Sequence, residues 1–212
     1  MNNRKIFFVL LLCVVIGANR LATAAIITGI ERRNSNNTPP FISGPLQEGS
    51  PGFVDRGYEY RMVPGNLIGA EYIMVANNDK SLSNYELDVT LSRNATLYLM
   101  LDNRLGHGPL EDDTGQFLDP DFSAAEMQWV LALGFVDTQE HIIVYEKGAT
   151  GIFRWSSVYA LNVSAGTLTL FQQCDATDQQ FRNMYGVAVV PEASTFLLFF
   201  FGTVLAGRRQ KA

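Results

Sequence analysis

Cysteine, histidine and positive charge are the scarce commodities of this 212-residue chain, and each scarcity removes a class of function. The only cysteines are Cys13 and Cys174. Cys13 lies inside an N-terminal apolar run, so loss of that run leaves Cys174 alone and no intrachain disulfide can form. Stability must then come from a hydrophobic core. Asp175 beside Cys174 raises rather than lowers a thiol pKa, which argues against a reactive nucleophile. The two histidines, His107 and His141, form no metal-spaced pair, and no Gly-x-Ser-x-Gly nucleophile motif accompanies them. No cofactor is expected. Residues 25–190 hold 10 of the 16 cationic residues but 20 of the 21 acidic ones, a net charge of −10. Such a body repels nucleic acid and anionic membrane surfaces. There is no fixed-period repeat, which sets aside solenoids and propellers.

What the sequence does have is a processing signal at each end. Residues 1–24 read as a signal peptide helix: Arg4 and Lys5, the apolar run Ile6–Ile16, then Ala22-Thr23-Ala24 as a small-x-small cleavage site before Ala25. Eleven apolar residues span roughly 16 Å as a helix, too short for a permanent anchor. Leu10-Leu11-Leu12 before Cys13 lacks the small residues that a lipidation site requires.

Residues 190–212 carry Val190-Pro191-Glu192-Ala193-Ser194, the apolar run Phe196–Phe201, the segment Gly202–Gly207 and the basic end Arg208, Arg209, Gln210 and Lys211. Its strongly apolar residues favour membrane insertion by about 2–5 kcal/mol in total. Ala193–Gly207 would be about 22 Å long as a helix, which suits a transient transmembrane anchor. The terminal basic residues place that end in the cytoplasm and the body outside. Pro191 separates the last strand from this helix, and Ser194 and Thr195 can cap its start.

This order of motif, apolar helix and basic end resembles the PEP-CTERM sorting signal of exported bacterial proteins, with Ala193 where the family usually has a second proline. The resemblance implies recognition by an exosortase, a membrane transpeptidase or cysteine protease. It further implies transient inner-membrane anchoring, then delivery to the cell surface or the exopolysaccharide of a biofilm matrix. An ordinary C-terminal membrane anchor is the alternative.

Between the tails, residues 25–189 predict an all-β domain. Tyr85–Ser92 alternates strictly, and Ala95–Leu101 is apolar on both faces like a central strand. Further strands are expected over 58–63, 71–76, 129–136, 141–146, 153–163, 167–172 and 184–190, separated by turns such as Pro64-Gly65-Asn66 and Ala165-Gly166. Nine short strands argue a β-sandwich or jelly roll. Residues 31–52 read as an irregular entry segment, and 112–122 as the longest loop. The succession Leu97-Tyr98-Leu99, Trp129–Phe135, Tyr159–Gly166 and Met184-Tyr185-Gly186-Val187 resembles galactose-binding-like jelly rolls.

Candidate site residues are few. Trp129 and Trp155 can stack on sugar rings or serve as core residues. Asp102, Asn103 and Arg104 can bond sugar hydroxyls, or simply build a turn. Glu111, Asp112, Asp113, Asp119 and Asp121 offer oxygen ligands for calcium without EF-hand spacing, and otherwise form a solvated acidic loop. Glycoside hydrolysis needs two carboxylates held across a cleft, a separation no sequence supplies. The expectation is an exported, non-enzymatic protein: a structural matrix component or a carbohydrate-binding module, with a glycan hydrolase third.

Overall fold

The computed structural model describes residues 24–107, 113–123, 127–147, 151–173 and 182–192. Outside them lie residues 1–23 of the expected signal peptide, including Ala22, and the tail from Ala193 onward, including Ser194, Arg208, Arg209 and Lys211. Glu111, Asp112 and Cys174 also lie outside. Among the described residues, no helix is long and apolar enough to cross a membrane.

Among the described residues, ten strands form two antiparallel sheets. The smaller has the order β1 (Ile27–Arg33), β5 (Glu86–Leu91), β9 (Gly166–Phe171). The larger runs β2 (Phe41–Ser43), β4 (Glu71–Met74), β10 (Gly186–Pro191), β6 (Ala95–Asp102), β8 (Ile152–Val163), β7 (Val136–Glu146), β3 (Glu59–Arg61). Leu87 and Val89 of β5 are fully buried, on the face that alternation marked for the core; in β6, expected to be covered on both faces, Leu97 and Leu99 are fully buried while Thr96 and Tyr98 lie on a half-buried face. Val187 and Val189 of β10 join them. Burying each such aliphatic side chain stabilises the fold by roughly 1.5–3 kcal/mol.

Three expectations need correction. Residues 129–136 do not form a strand; Gln128–Leu133 is a short helix, α1, closed by Gly134 in the left-handed region at φ 90°. Gln, Leu and Ala favour helix, and glycine pays no Cβ penalty at the position after a helix end. The second correction is an addition. The strand β1, hidden because its sequence ends in Glu31-Arg32-Arg33, pairs with β5 from Ile27 to Arg33. Its charges are held by partners: Arg33 bonds Glu86 and Asp88, and Arg32 reaches the buried Asp79 at 3.3 Å. The entry segment also contains a strand, β2, paired with β4. Third, the strand expected over 141–146 begins at Val136, with a bulge at Thr138 and Gln139. Gln139 has φ 62°, and Asp137 accepts from both its backbone N (2.8 Å) and its Nε2 (2.6 Å). That local bonding offsets the strain of a left-handed residue in a strand.

The two ends of the domain meet at one pole. Pro191 is the last residue of β10 and pairs with Ala95, so the sheet takes in the first two residues of the tail motif; Glu192 beyond it is exposed. A proline without an N–H is tolerated at such a strand end. Nearby, Glu71, which pairs with Val189, accepts from the backbone N–H of Ile26 (2.9 Å) and of Ile27 (2.9 Å). Ser92 Oγ donates to the Ala25 carbonyl at 2.8 Å, and Arg93 Nη2 to the Ala24 carbonyl at 3.1 Å.

Candidate functional site

At the opposite pole, β3, β7 and β8 end in a row of matched rungs. Arg61 pairs with Ile143 and Ile143 with Trp155; Glu59 pairs with Tyr145 and Tyr145 with Phe153. Because side chains alternate across a strand, these residues share one face. Their neighbours Tyr60, Val144 and Arg154 are buried on the other.

The shared face is the floor of an open groove of about 730 Å³. Trp155, Phe153 and Tyr145 give it aromatic surface, and Phe153 is 49% exposed. The rings of Tyr145 and Phe153 lie 4.9 Å apart with a 30° tilt, and His141 meets Trp155 edge-on at 6.0 Å. The Arg61 guanidinium stands 5.8 Å from the Tyr145 ring centre. Gly151, at φ 55°, is required beside this pair, since a Cβ there would come within 2.5 Å of the Tyr145 hydroxyl.

Polar groups line the rim. Glu48 accepts from the Val63 N–H at 2.6 Å, and Arg61 donates to Glu59 at 2.7 Å. Lys147 also bonds Glu59, and that bond is the main reason the Glu59 carboxyl titrates below the ordinary glutamate range. Met62, held at φ 51° and 56% exposed, adds a flexible apolar wall in a conformation that non-glycine residues seldom adopt. Thr114 and Gln116 complete the lining. The next residue, Phe117, is 83% exposed.

The sequence candidates divide sharply by position. Trp155 is in the groove, and its backbone is fixed on both sides: its N–H donates to the Thr114 carbonyl at 2.9 Å, and its carbonyl accepts from Asn103 at 3.0 Å. Asp102 and Arg104 are not at its surface. Asp102 is 3% exposed, and its two oxygens accept from Arg104 N, Nε and Nη2 and from the Asn183 N–H at 2.5–3.0 Å. With its lone pairs so occupied, this carboxylate is committed to the fold. Asn103 and Arg104 instead support the groove from below. Asn103 Nδ2 donates to the Gly115 carbonyl at 3.1 Å, and the Cβ and Cγ of these two residues lie against Gly115.

Trp129 belongs to α1 and faces inward. It packs edge-on against Phe135, Phe171 and Tyr185, and its Nε1 donates to the Gln172 carbonyl at 2.8 Å. It is wall, not platform. The described acidic residues of the loop, Asp113, Asp119 and Asp121, each have separate partners. Asp113 pairs with Arg154 at 3.1 Å, the Asp119 carbonyl accepts from His107 Nε2 at 2.9 Å, and Asp121 accepts from Ser123 N at 2.8 Å. That last bond is the first cause of the lowered Asp121 pKa. Among the described residues, no three His, Cys, Asp or Glu groups are placed to hold a metal ion.

Sequence reasoning missed Tyr145, Phe153, Arg61 and Glu48. A signal for Phe153 was present: in Phe153-Arg154-Trp155, aromatic residues at i and i+2 must share a strand face. Arg61 and Glu48 come from segments distant in the chain and had no such local mark.

No family model matches the chain, and no curated protein matches it. Among solved structures, a β-glucuronidase from glycoside hydrolase family 2 superposes with a TM-score of 0.53 at 15% identity. The match covers 76% of this chain and only 14% of that one. At this identity the likeness concerns the fold alone: a sandwich-like β domain similar to a small part of a much longer protein.

Proposed function

We propose that this chain is an exported, non-enzymatic surface protein whose jelly-roll, galactose-binding-like body is a carbohydrate-binding module. The observation that carries the reading is the groove of Tyr145, Phe153 and Trp155 with Glu48, Arg61 and Gln116 around it. Sugar rings offer apolar C–H faces ringed by hydroxyls, and an aromatic floor with a polar rim complements both. Glycoside hydrolysis calls for two carboxylates; Glu48 is the one carboxylate among the described lining residues. A likeness to part of a glycosidase fits a carbohydrate-linked role without supplying its chemistry.

The poles agree with surface presentation. Trp155 stands eight residues along β8 from Val163, which pairs with Ala95 beside Pro191, so roughly 26 Å separate the groove from the tail. A PEP-CTERM-like tail at Val190–Ser194, cut by an exosortase-like transpeptidase, would leave the groove facing away from the membrane and toward extracellular polysaccharide.

Two measurements test the reading. Glycan-array binding by the full chain is expected, and Phe153→Ala should abolish it while the protein still folds. Absence of binding with normal incorporation into the matrix would leave the structural role instead. For sorting, mass spectrometry of secreted material should find chains ending between Val190 and Ser194. An intact Arg208-Arg209 end in a stable membrane fraction, in a strain with active exosortase, would refute it.

A further inference from the structure

The groove differs from its surroundings in how its charges are spent. Arg61, the one cation among the described lining residues, has its guanidinium engaged by Glu59 at 2.7 Å and laid against the Tyr145 ring. Lys147, just outside, bonds the other oxygen of Glu59. Arg154, beneath the floor, is held by Asp113 at 3.1 Å and Glu146 at 3.2 Å. Among the described residues, Arg61, Lys147 and Arg154 thus each already have a carboxylate partner in Glu59, Asp113 or Glu146, and Glu48 adds a further negative group at the rim.

We infer that the groove selects neutral glycans and discriminates against uronate-containing ones. This deepens the glycan-binding reading and rests on it. A sugar carboxylate is recognised strongly when an arginine fork is free to take it in a bidentate pair. Here Glu59 already holds Arg61 Nη2 and offsets its charge, and the rim also carries Glu48 and the exposed Asp113 next to Thr114, so a sugar carboxylate meets a competitor for the fork and a net negative edge. The wider field acts in the same direction, because residues 25–190 carry a net charge of −10. A neutral hexose meets none of this. Its hydroxyls can donate to Glu48, whose Oε1 alone is committed to the Val63 N–H, and its C–H face can lie on Phe153 and Trp155.

The likeness to a β-glucuronidase therefore gives no reason to expect glucuronate here. The polar groups of this pole, rather than the shared fold, set the preference.

The experiment is affinity electrophoresis of the full chain through gels holding a neutral β-glucan, a neutral galactan, polygalacturonate or alginate. At low salt at least one neutral polymer should retard the protein, with an apparent Kd at least roughly tenfold below that for either uronate polymer. Phe153→Ala should lose the retardation; its side chain is half exposed, so the fold is retained. Raising the salt should leave neutral binding unchanged and improve uronate binding as repulsion is screened. Glu48→Gln, which still accepts from Val63, should narrow the ratio from the uronate side. Retardation by polygalacturonate or alginate as strong as by the neutral polymers, and lost in Phe153→Ala, would overturn the inference while leaving glycan binding intact. Failure of every polymer to retard the chain would overturn the glycan-binding reading itself, and this inference with it.

Discussion

Asn103 and Trp155 are joined backbone to backbone at 3.0 Å, so the turn after β6 holds the main chain that carries the aromatic floor of the groove. The Asn103 side chain extends the link. Its Nδ2 donates to the Gly115 carbonyl at 3.1 Å, its Oδ1 accepts from Ser157 Oγ at 2.8 Å, and the residue is 0% exposed.

Asn103→Ala should therefore act on both stability and binding. It leaves the Gly115 carbonyl without the amide donor and the Ser157 hydroxyl with only its 3.4 Å contact to His141 Nδ1, at a cost of about 1–3 kcal/mol. A lowered urea midpoint is expected, together with weaker glycan retention because Thr114 and Gln116 lose their support. An unchanged midpoint would show that water replaces the amide freely.

Phe117 should behave in the reverse way. At 83% exposure it has no packing to lose, so Phe117→Ala should change stability by less than about 0.5 kcal/mol. As an aromatic ring following the groove residue Gln116, it should lower glycan affinity by about three- to tenfold when removed. Isothermal titration against the neutral polymer that binds best, beside a melting curve, separates the two effects.

At the other pole, Glu71→Ala should loosen β1. The carboxylate accepts from the N–H groups of Ile26 and Ile27, residues only 4% and 1% exposed. Removing it strands buried donors, worth about 1–3 kcal/mol, and amide exchange in Ile26–Arg33 should quicken ahead of exchange in β6. Equal acceleration in both strands would mean that β1 opens only with the whole domain.

The small sheet should also carry an acid-sensitive link. Thr169 Oγ1 donates to Asp88 at 2.6 Å, and Arg33 pairs with the same carboxylate, tying β9 and β1 to β5. These two partners, the threonine first, hold the Asp88 pKa below the ordinary aspartate value. A depressed carboxylate contributes stability that is present above its unfolded pKa, near about 3.9, and is lost as pH falls through the folded value. Asp88→Asn should therefore flatten the fall in stability below about pH 4, with little change in its slope above pH 5. Urea titrations across that range provide the check; parallel curves for the two proteins would remove Asp88 as a source.

The sequence was most legible where one face of a strand meets the core. Tyr85, Leu87, Val89 and Leu91 alternate because β5 is covered on one side, and all four are buried. Legibility failed where local preference and tertiary pairing diverge. Trp129–Phe135 is apolar enough to pass for a strand, yet Gly134 and the surrounding helix formers turn it into α1. Arg32 and Arg33 disguised β1, because the carboxylates that neutralise them come from residues 79, 86 and 88.

By itself the sequence determined the β character of the body, the buried face of β5 and the acidity, and it named Trp155 as a candidate without showing where it would stand. Strand alternation and charge are local sums, readable in order along the chain. The groove was decided by the tertiary structure alone. It exists because β3, β7 and β8 lie in a register that sets Arg61, Ile143 and Trp155 in one row, and Glu59, Tyr145 and Phe153 in the next. Register is fixed by contacts between residues up to about a hundred positions apart, and the same folding turned Asp102 and Trp129 inward to satisfy buried partners.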